Sequence, residues 1–245
     1  MRVALISDIH GNLTALDAVL DELAAEEIDR VACLGDVASD GPQPREVLGR
    51  LSALQCPVMM GNADAEVLGL IPVSGAPEMR MVAEAARWCA DRLHADERAF
   101  MSSFERRVEI AVGNWSLLLF HGSPSDFNAK ILPSTPDDSL RETFASFSAQ
   151  VMAGGHTHLQ MARQIDEAML INPGSVGMAY DRAAEDEVEV AAWAEYAVLM
   201  LAEDAFRVEL RKVAFDVEAH LTAIRRSGMP YADFWTSAWA RAGRL

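Results

Sequence analysis

Seven side chains able to bind a divalent cation recur after short apolar runs: Asp8 and His10 in "SDIHGN", Asp36 in "LGD", Asn62 in "MMGNAD", His121 in "FHG", and His156 and His158 in "GGHTH". Taken singly, each has an ordinary explanation. A lone histidine after a strand is commonly a satisfied core or surface residue, and Gly61-Asn62 is a frequent turn signal. Together they imply chemistry, because carboxylates, an amide and four imidazoles gathered at one place are costly to bury without a shared cation. The set offers oxygen and nitrogen but no thiolate, which suits Mn2+ first, with Fe, Zn2+, Ni2+ or Co2+ as alternatives. An aspartate can bridge two ions about 3.5–4 Å apart, and water held between them becomes a nucleophile near neutral pH while a phosphoryl oxygen loses charge to both.

Such residues meet only if strand ends line one edge of a sheet. "RVALIS", "DRVACLGD" and "CPVMMGN" read as three buried strands, separated by the helical patterns "NLTALDAVLDELAAEE" and "GPQPREVLGRLSAL". Strands alternating with helices predict a parallel sheet with functional residues at the carboxyl ends. Residues 64–105 carry long helical periodicity and no strand signal, which predicts a helical insertion after the third strand. Strand-like runs resume at "RRVEIAV", "NWSLLLFHG", "AQVMAGG", "QMARQI" and "AMLINPGS", and "EYAVLMLA" with "FRVELRKVAF" reads as a hairpin. The second half is therefore expected to form a further, partly antiparallel sheet facing the first, closed by two helices. Without a proline- or serine-rich linker, residues 1–245 are read as one domain.

A formal net charge of −16 opposes binding to long nucleic acid, which relies on Lys and Arg to displace counterions. The opening run is too short for a signal peptide or membrane span, so a cytoplasmic address and no membrane partner are expected. Cys33, Cys56 and Cys89 are widely spaced and read as small buried hydrophobes.

The order D-x-H, G-D, G-N, H-G and G-H-x-H resembles the calcineurin-like metallophosphoesterase superfamily. "SDIHGN", "LGDVASDGPQPREVL", "GNADAEVL", "FHGSP", "GGHTH" and "INPGSVG" are similar to its bacterial and archaeal branch of small phosphodiesterases, from the first residue to about Gly177. That resemblance implies an α/β (α+β) four-layer αββα sandwich with two facing mixed sheets. It also implies that Asp8, His10, Asp36 and His158 hold one metal and Asp36, Asn62, His121 and His156 a second, with Asp36 as the bridge and Asn62 also contacting phosphate. The implied catalytic residues are Asp36, Asn62 and His121. The implied activity is hydrolysis of small phosphodiesters or cyclic nucleotides, with a phosphomonoesterase, nucleotidase or protein phosphatase as the alternative. A non-catalytic scaffold of the same fold is the third reading.

The chain departs from the family pattern at Ala63, where G-N-H-[DE] places a histidine thought to protonate the leaving group. His94 is a substitute to consider, and His220 a weaker one. Asp64 and Glu66 are read as acids suited to a helix N-terminus, and Asp17 and Asp21 as the polar side of the first helix. Nothing in spacing selects Lys130, Arg163 or Arg182 for substrate phosphate, and "NPGSVG" with Ser175 reads as a loop beside the site. Trp235 and Trp239, one turn apart, either cap the core or form a contact between copies in a homo-oligomer.

Overall fold

Alternate residues of the opening run serve two different cores, and that alternation sets the layering of the molecule. In the computed structural model, which describes residues 1–73, 76, 79–181 and 189–242, the run is strand β1 (Arg2–Ile6). Ala4 and Ile6 join one apolar cluster, Val3 and Leu5 another, as the two-residue period of a strand requires. After β1 come α1 (Leu13–Ala24), β2 (Arg30–Cys33) and α2 (Pro44–Leu54). Helix α1 starts where the Asn12 side chain accepts from Ala15 N, and α2 where Pro44 supplies a fixed φ without a donor.

The helical insertion is α3 (Asn62–Val67), α4 (Arg80–Arg92) and α5 (Ala95–Ser102); residues 74–75 and 77–78 of the expected span lie outside the described residues. Then follow β3 (Arg107–Val112), β4 (Trp115–Phe120), α6 (Asp137–Phe144), β5 (Val151–Ala153), β6 (Met161–Ile165) and β7 (Ala168–Asn172). The short pair β8 (Tyr180–Asp181) and β9 (Glu189–Val190) precedes β10 (Trp193–Leu201), β11 (Phe206–Ala214), α7 (Val217–Ser227) and α8 (Ala232–Ala242).

Two main sheets result, with strand orders β11-β10-β1-β2 and β3-β4-β5-β7-β6. Their facing sides share one core that includes Leu5, Leu34, Leu117, Leu119, Ile171 and Leu199. Outside the first sheet Ile6 and Val198 pack with α1 and α2 through Leu16, Val19 and Leu48; outside the second, Leu118 and Phe120 pack with α6 through Leu140 and Phe144. This is the four-layer αββα sandwich.

Two elements differ from the sequence reading. The hairpin β10–β11 belongs to the first sheet, because β10 pairs antiparallel with β1, Val3 opposite Leu199. β1 would otherwise leave a buried edge unpaired, and β10, apolar on both faces, fills it while the alternating β11 takes the edge. The third expected strand is reduced to isolated parallel bridges, Cys33 with Val58 and Met59 with Glu105, so the segment before Asn62 spans from β2 toward the start of the second sheet. Leu199→Ala is expected to cost about 2–5 kcal/mol in urea unfolding, as for other buried leucines. A loss below about 1 kcal/mol would contradict the placement of Leu199 in the core between the two sheets.

Candidate metal centre

The parallel strands explain why distant motifs meet. β1 runs parallel to β2, and β4, β5 and β7 run parallel to one another, so the carboxyl ends of both sets open at the same edge of the sandwich. Asp8 and His10 follow β1, Asp36 follows β2, His121 follows β4, and His156 and His158 follow β5. Asp8, His10, Asp36, His156 and His158 all have positive φ, between 46° and 70°, a region L-residues seldom occupy. The turns are held by backbone pairing: Asp8 N donates to Gly35 O, His10 N to Asp36 O and Gly11 N to Val37 O. Surrounding structure that over-determines such a conformation is a feature of functional sites.

Hydrogen bonds at Nδ1 fix which ring nitrogens face inward. His158 Nδ1 lies 2.7 Å from Met178 O, His121 Nδ1 2.8 Å from Leu34 O and His10 Nδ1 3.3 Å from Ser39 O. A carbonyl only accepts, so these Nδ1 atoms donate, and in the neutral ring each Nε2 presents a lone pair. His10 Nε2 and His158 Nε2 face each other at 3.1 Å, with Asp8 Oδ1 3.3 Å from the second. His121 Nε2 is 3.2 Å from both Asp36 Oδ2 and Asn62 Oδ1. His156 Nε2 is buried without a hydrogen-bond partner. Lone pairs aimed at one another repel unless a proton or a cation lies among them. Two nitrogens on one ion, at about 2.1 Å and near-tetrahedral angles, stand roughly 3–3.4 Å apart.

These donors fall into two groups. One ligand atom from each of Asp8, His10 and His158 lies within 4.8 Å of the others, and so do those of Asp36, His121 and His156. Asp36 Oδ2 also lies 3.9 Å from His10 Nε2, which links the groups. The residues fit a pair of divalent cations, and all seven expected ligands are brought together.

Several supporting residues were not legible beforehand. Asp64, read as a helix-start acid, is fully buried and accepts from Asp36 N and Val37 N at 2.9 Å and Gly61 N at 3.2 Å, so it clamps the turn that carries Asp36. Burial, then the charge of Asp36, raises its pKa to about 6 against the pull of those N–H groups. Asp40 Oδ2 lies 3.5 Å from His10 Nδ1 and supports that ring from outside. Ser175, buried rather than lining a pocket, donates from Oγ to Asp8 O, while Asn172 Nδ2 donates to Gly155 O. Both tie the "NPGSVG" loop to the centre. A Cβ on Gly61 would stand 2.0 Å from Asp36 Oδ1, so Gly61→Ala is expected to lower metal content, measured by elemental analysis; full occupancy with normal affinity would count against that packing.

Other candidates stay apart. His94 is exposed on the α5 N-terminus, 3.0 Å from Arg45 Nη2. His220 is buried against Trp239 and Phe215 and lines a small cavity with His10 and Asp40, and burial lowers its pKa to about 4. Arg163 pairs with Asp137 and donates to Thr135 O, Lys130 is exposed, and Arg182 lies outside the described residues. Trp239 caps the core formed with α7, and Trp235 packs partly against it.

Residues 1–195 match the family model described as the calcineurin-like phosphoesterase superfamily domain. The chain is 25% identical to the uncharacterized protein MJ0912 of Methanocaldococcus jannaschii, covering 93% of each chain. It is 28% identical to the phosphodiesterase YfcE of Escherichia coli, over 73% of this chain and 80% of that one. The crystal structure of a metallophosphoesterase from Sphaerobacter thermophilus superposes with a TM-score of 0.75 at 25% identity, covering 99% of both chains. Among the described residues no helix is long and apolar enough to cross a membrane.

Proposed function

The chain belongs to the calcineurin-like phosphoesterase superfamily, and from that premise we propose that it is a dinuclear metal-dependent phosphodiesterase acting on small diesters or cyclic nucleotides. The observation that carries this reading is the set of inward-facing nitrogen and oxygen atoms, His10 Nε2 against His158 Nε2 and His121 Nε2 against Asn62 Oδ1. Asp8, His10 and His158 would hold one cation, Asn62, His121 and His156 the other, with Asp36 shared and Mn2+ the first choice. Bound cations would supply a deprotonated water at neutral pH and withdraw charge from the phosphoryl group.

The protein's own groups do the rest. The carbonyls of Met178, Leu34 and Ser39 hold three imidazoles with Nε2 inward. Asp36 accepts from Ala63 N at 2.8 Å through Oδ1, which fixes the turn of its carboxylate. Asn62, with Oδ1 toward His121, keeps its NH2 free to donate to a phosphate oxygen. The diester preference is supported by the likeness to the phosphodiesterase YfcE, and at Ala63 the chain lacks the imidazole of the G-N-H-[DE] pattern. Ala63 is only 2% exposed, so the family's histidine cannot be restored there without displacing neighbours.

The test is turnover with Mn2+ of bis-p-nitrophenyl phosphate against p-nitrophenyl phosphate. Faster diester turnover is expected. Faster monoester turnover would overturn the diester preference, and no turnover of either with Mn2+, Fe2+, Zn2+, Ni2+ or Co2+ would overturn the hydrolase.

A further inference from the structure

Protonating the leaving group needs a carboxyl or imidazole near the centre, and neither remaining histidine serves. His94 sits beside Arg45, and His220 is held neutral in an aromatic cage. Helix α3 offers another group. Asn62 and Glu66 stand four residues apart and so share a helical face, and helical side chains lean toward the N-terminal turn. Glu66 therefore covers the turn that holds Asn62 and Ala63. Its side chain is half-buried, and Oε2 is buried with no hydrogen-bond partner. That buried, unpartnered oxygen lies on the helical face that also carries Asn62, one turn further along α3.

We propose that Glu66 is the general acid of this enzyme, giving its proton to the leaving oxygen of the substrate in place of the absent histidine; this rests on the hydrolytic reading above. In that step hydroxide forms a new bond to phosphorus and the bond to the leaving oxygen breaks. The Glu66 proton passes to that oxygen, an alcohol departs, and the carboxylate takes its next proton from water. Burial first, then the charges of Asp36 and Asp40, raises the Glu66 pKa to about 7, so the carboxyl carries a proton where the reaction would run. Bound cations would cancel the share that comes from Asp36, while the share from burial remains. An acid at this position widens the substrate class from activated aryl esters to diesters whose leaving group is a sugar or other alkyl alcohol.

The test compares wild type with Glu66→Gln, an isostere that donates hydrogen bonds but transfers no proton, on diesters whose leaving groups run from p-nitrophenol through phenol to an alkyl alcohol. Turnover of the p-nitrophenyl ester is expected to stay within about 3-fold, and the loss to grow to about 10²–10⁴-fold for the alkyl ester. Glu66→Asp should recover part of that loss. The basic limb of the wild-type pH profile should disappear in Glu66→Gln, and metal content by elemental analysis should be unchanged. Carbon-13 titration of the Glu66 carboxyl in metal-loaded protein should show a raised pKa. Equal loss across the series, a normal carboxyl pKa, or loss of an ion from Glu66→Gln would overturn the assignment. A wild type inert toward every ester and metal would instead overturn the hydrolytic reading, and the acid with it.

Discussion

Asp36→Asn is expected to empty the centre of at least one ion and to lower diester turnover by roughly 10³-fold, the size of effect that several kcal/mol of lost charge stabilisation gives. Asp36 is buried, and its two oxygens have different duties. Oδ1 accepts from Ala63 N, and Oδ2 faces His121 Nε2 at 3.2 Å and His10 Nε2 at 3.9 Å. A carboxylate shared by two cations would need its full negative charge, with Oδ2 the oxygen that faces both groups of donors. The amide keeps the shape but puts a donor NH2 at one position, where it either loses the N–H bond of Ala63 or points hydrogens at a cation. The backbone should hold, since Asp64 clamps Asp36 N and Val37 N independently of the Asp36 side chain. Elemental analysis, circular dichroism and turnover on bis-p-nitrophenyl phosphate would be measured together. Unchanged metal and unchanged activity in a folded variant would refute the bridging role.

The contrast between Asp36 and Asp64 shows what the sequence could reveal. Asp36, like Asp8, His121 and the "GHTH" pair, ends an apolar run, and in parallel sheets such ends converge, so the site was legible from position along the chain. Asp64 has the same chemistry but sits within the first turn of α3, two residues after Asn62. Only three-dimensional packing shows that it reaches back 27 and 28 residues to two backbone N–H groups. The sheet assignment of β10 was hidden for a related reason. Pairing between β1 and β10 joins residues almost 200 positions apart, and an apolar run names no partner. Likewise the weak third strand has the composition of a full one; its reduction to bridges reflects a path from one sheet to the other. The αββα layering was implied by the family resemblance, and the structure shows its basis in β1 and β4, whose alternate residues serve different cores.

Protons and cations compete for the same lone pairs, so metal uptake at neutral pH should release about two protons per chain. Burial alone would lower the pKa of His10, but Asp40, Asp36 and Asp8 outweigh it and raise the value to about 9. Burial likewise opposes protonation of His121, and Asp36 and Asp8 overcome it, again to about 9. At pH 7.5 both imidazoles of the metal-free protein are therefore charged, and both must lose a proton to bind an ion. Titration calorimetry in buffers of different ionisation enthalpy would count the protons. The product of the two binding constants should fall roughly 100-fold for each pH unit below about 8. Folding raises these two pKa values above the ordinary 6.5, so the stability they give the metal-free protein is complete below pH 6.5 and is lost as pH rises through about 9. Asp8 and Asp36 act oppositely: burial would raise them, yet the surrounding histidines hold both below the ordinary 3.8, and their contribution is lost only in acid. The metal-free protein should thus lose stability between pH 6.5 and 9, while metal at about 1,000 times its Kd adds roughly 4 kcal/mol, with the gap widening as pH rises. Metal binding that released no protons and kept one affinity from pH 6 to 8 would show that His10 and His121 are not where the ions sit.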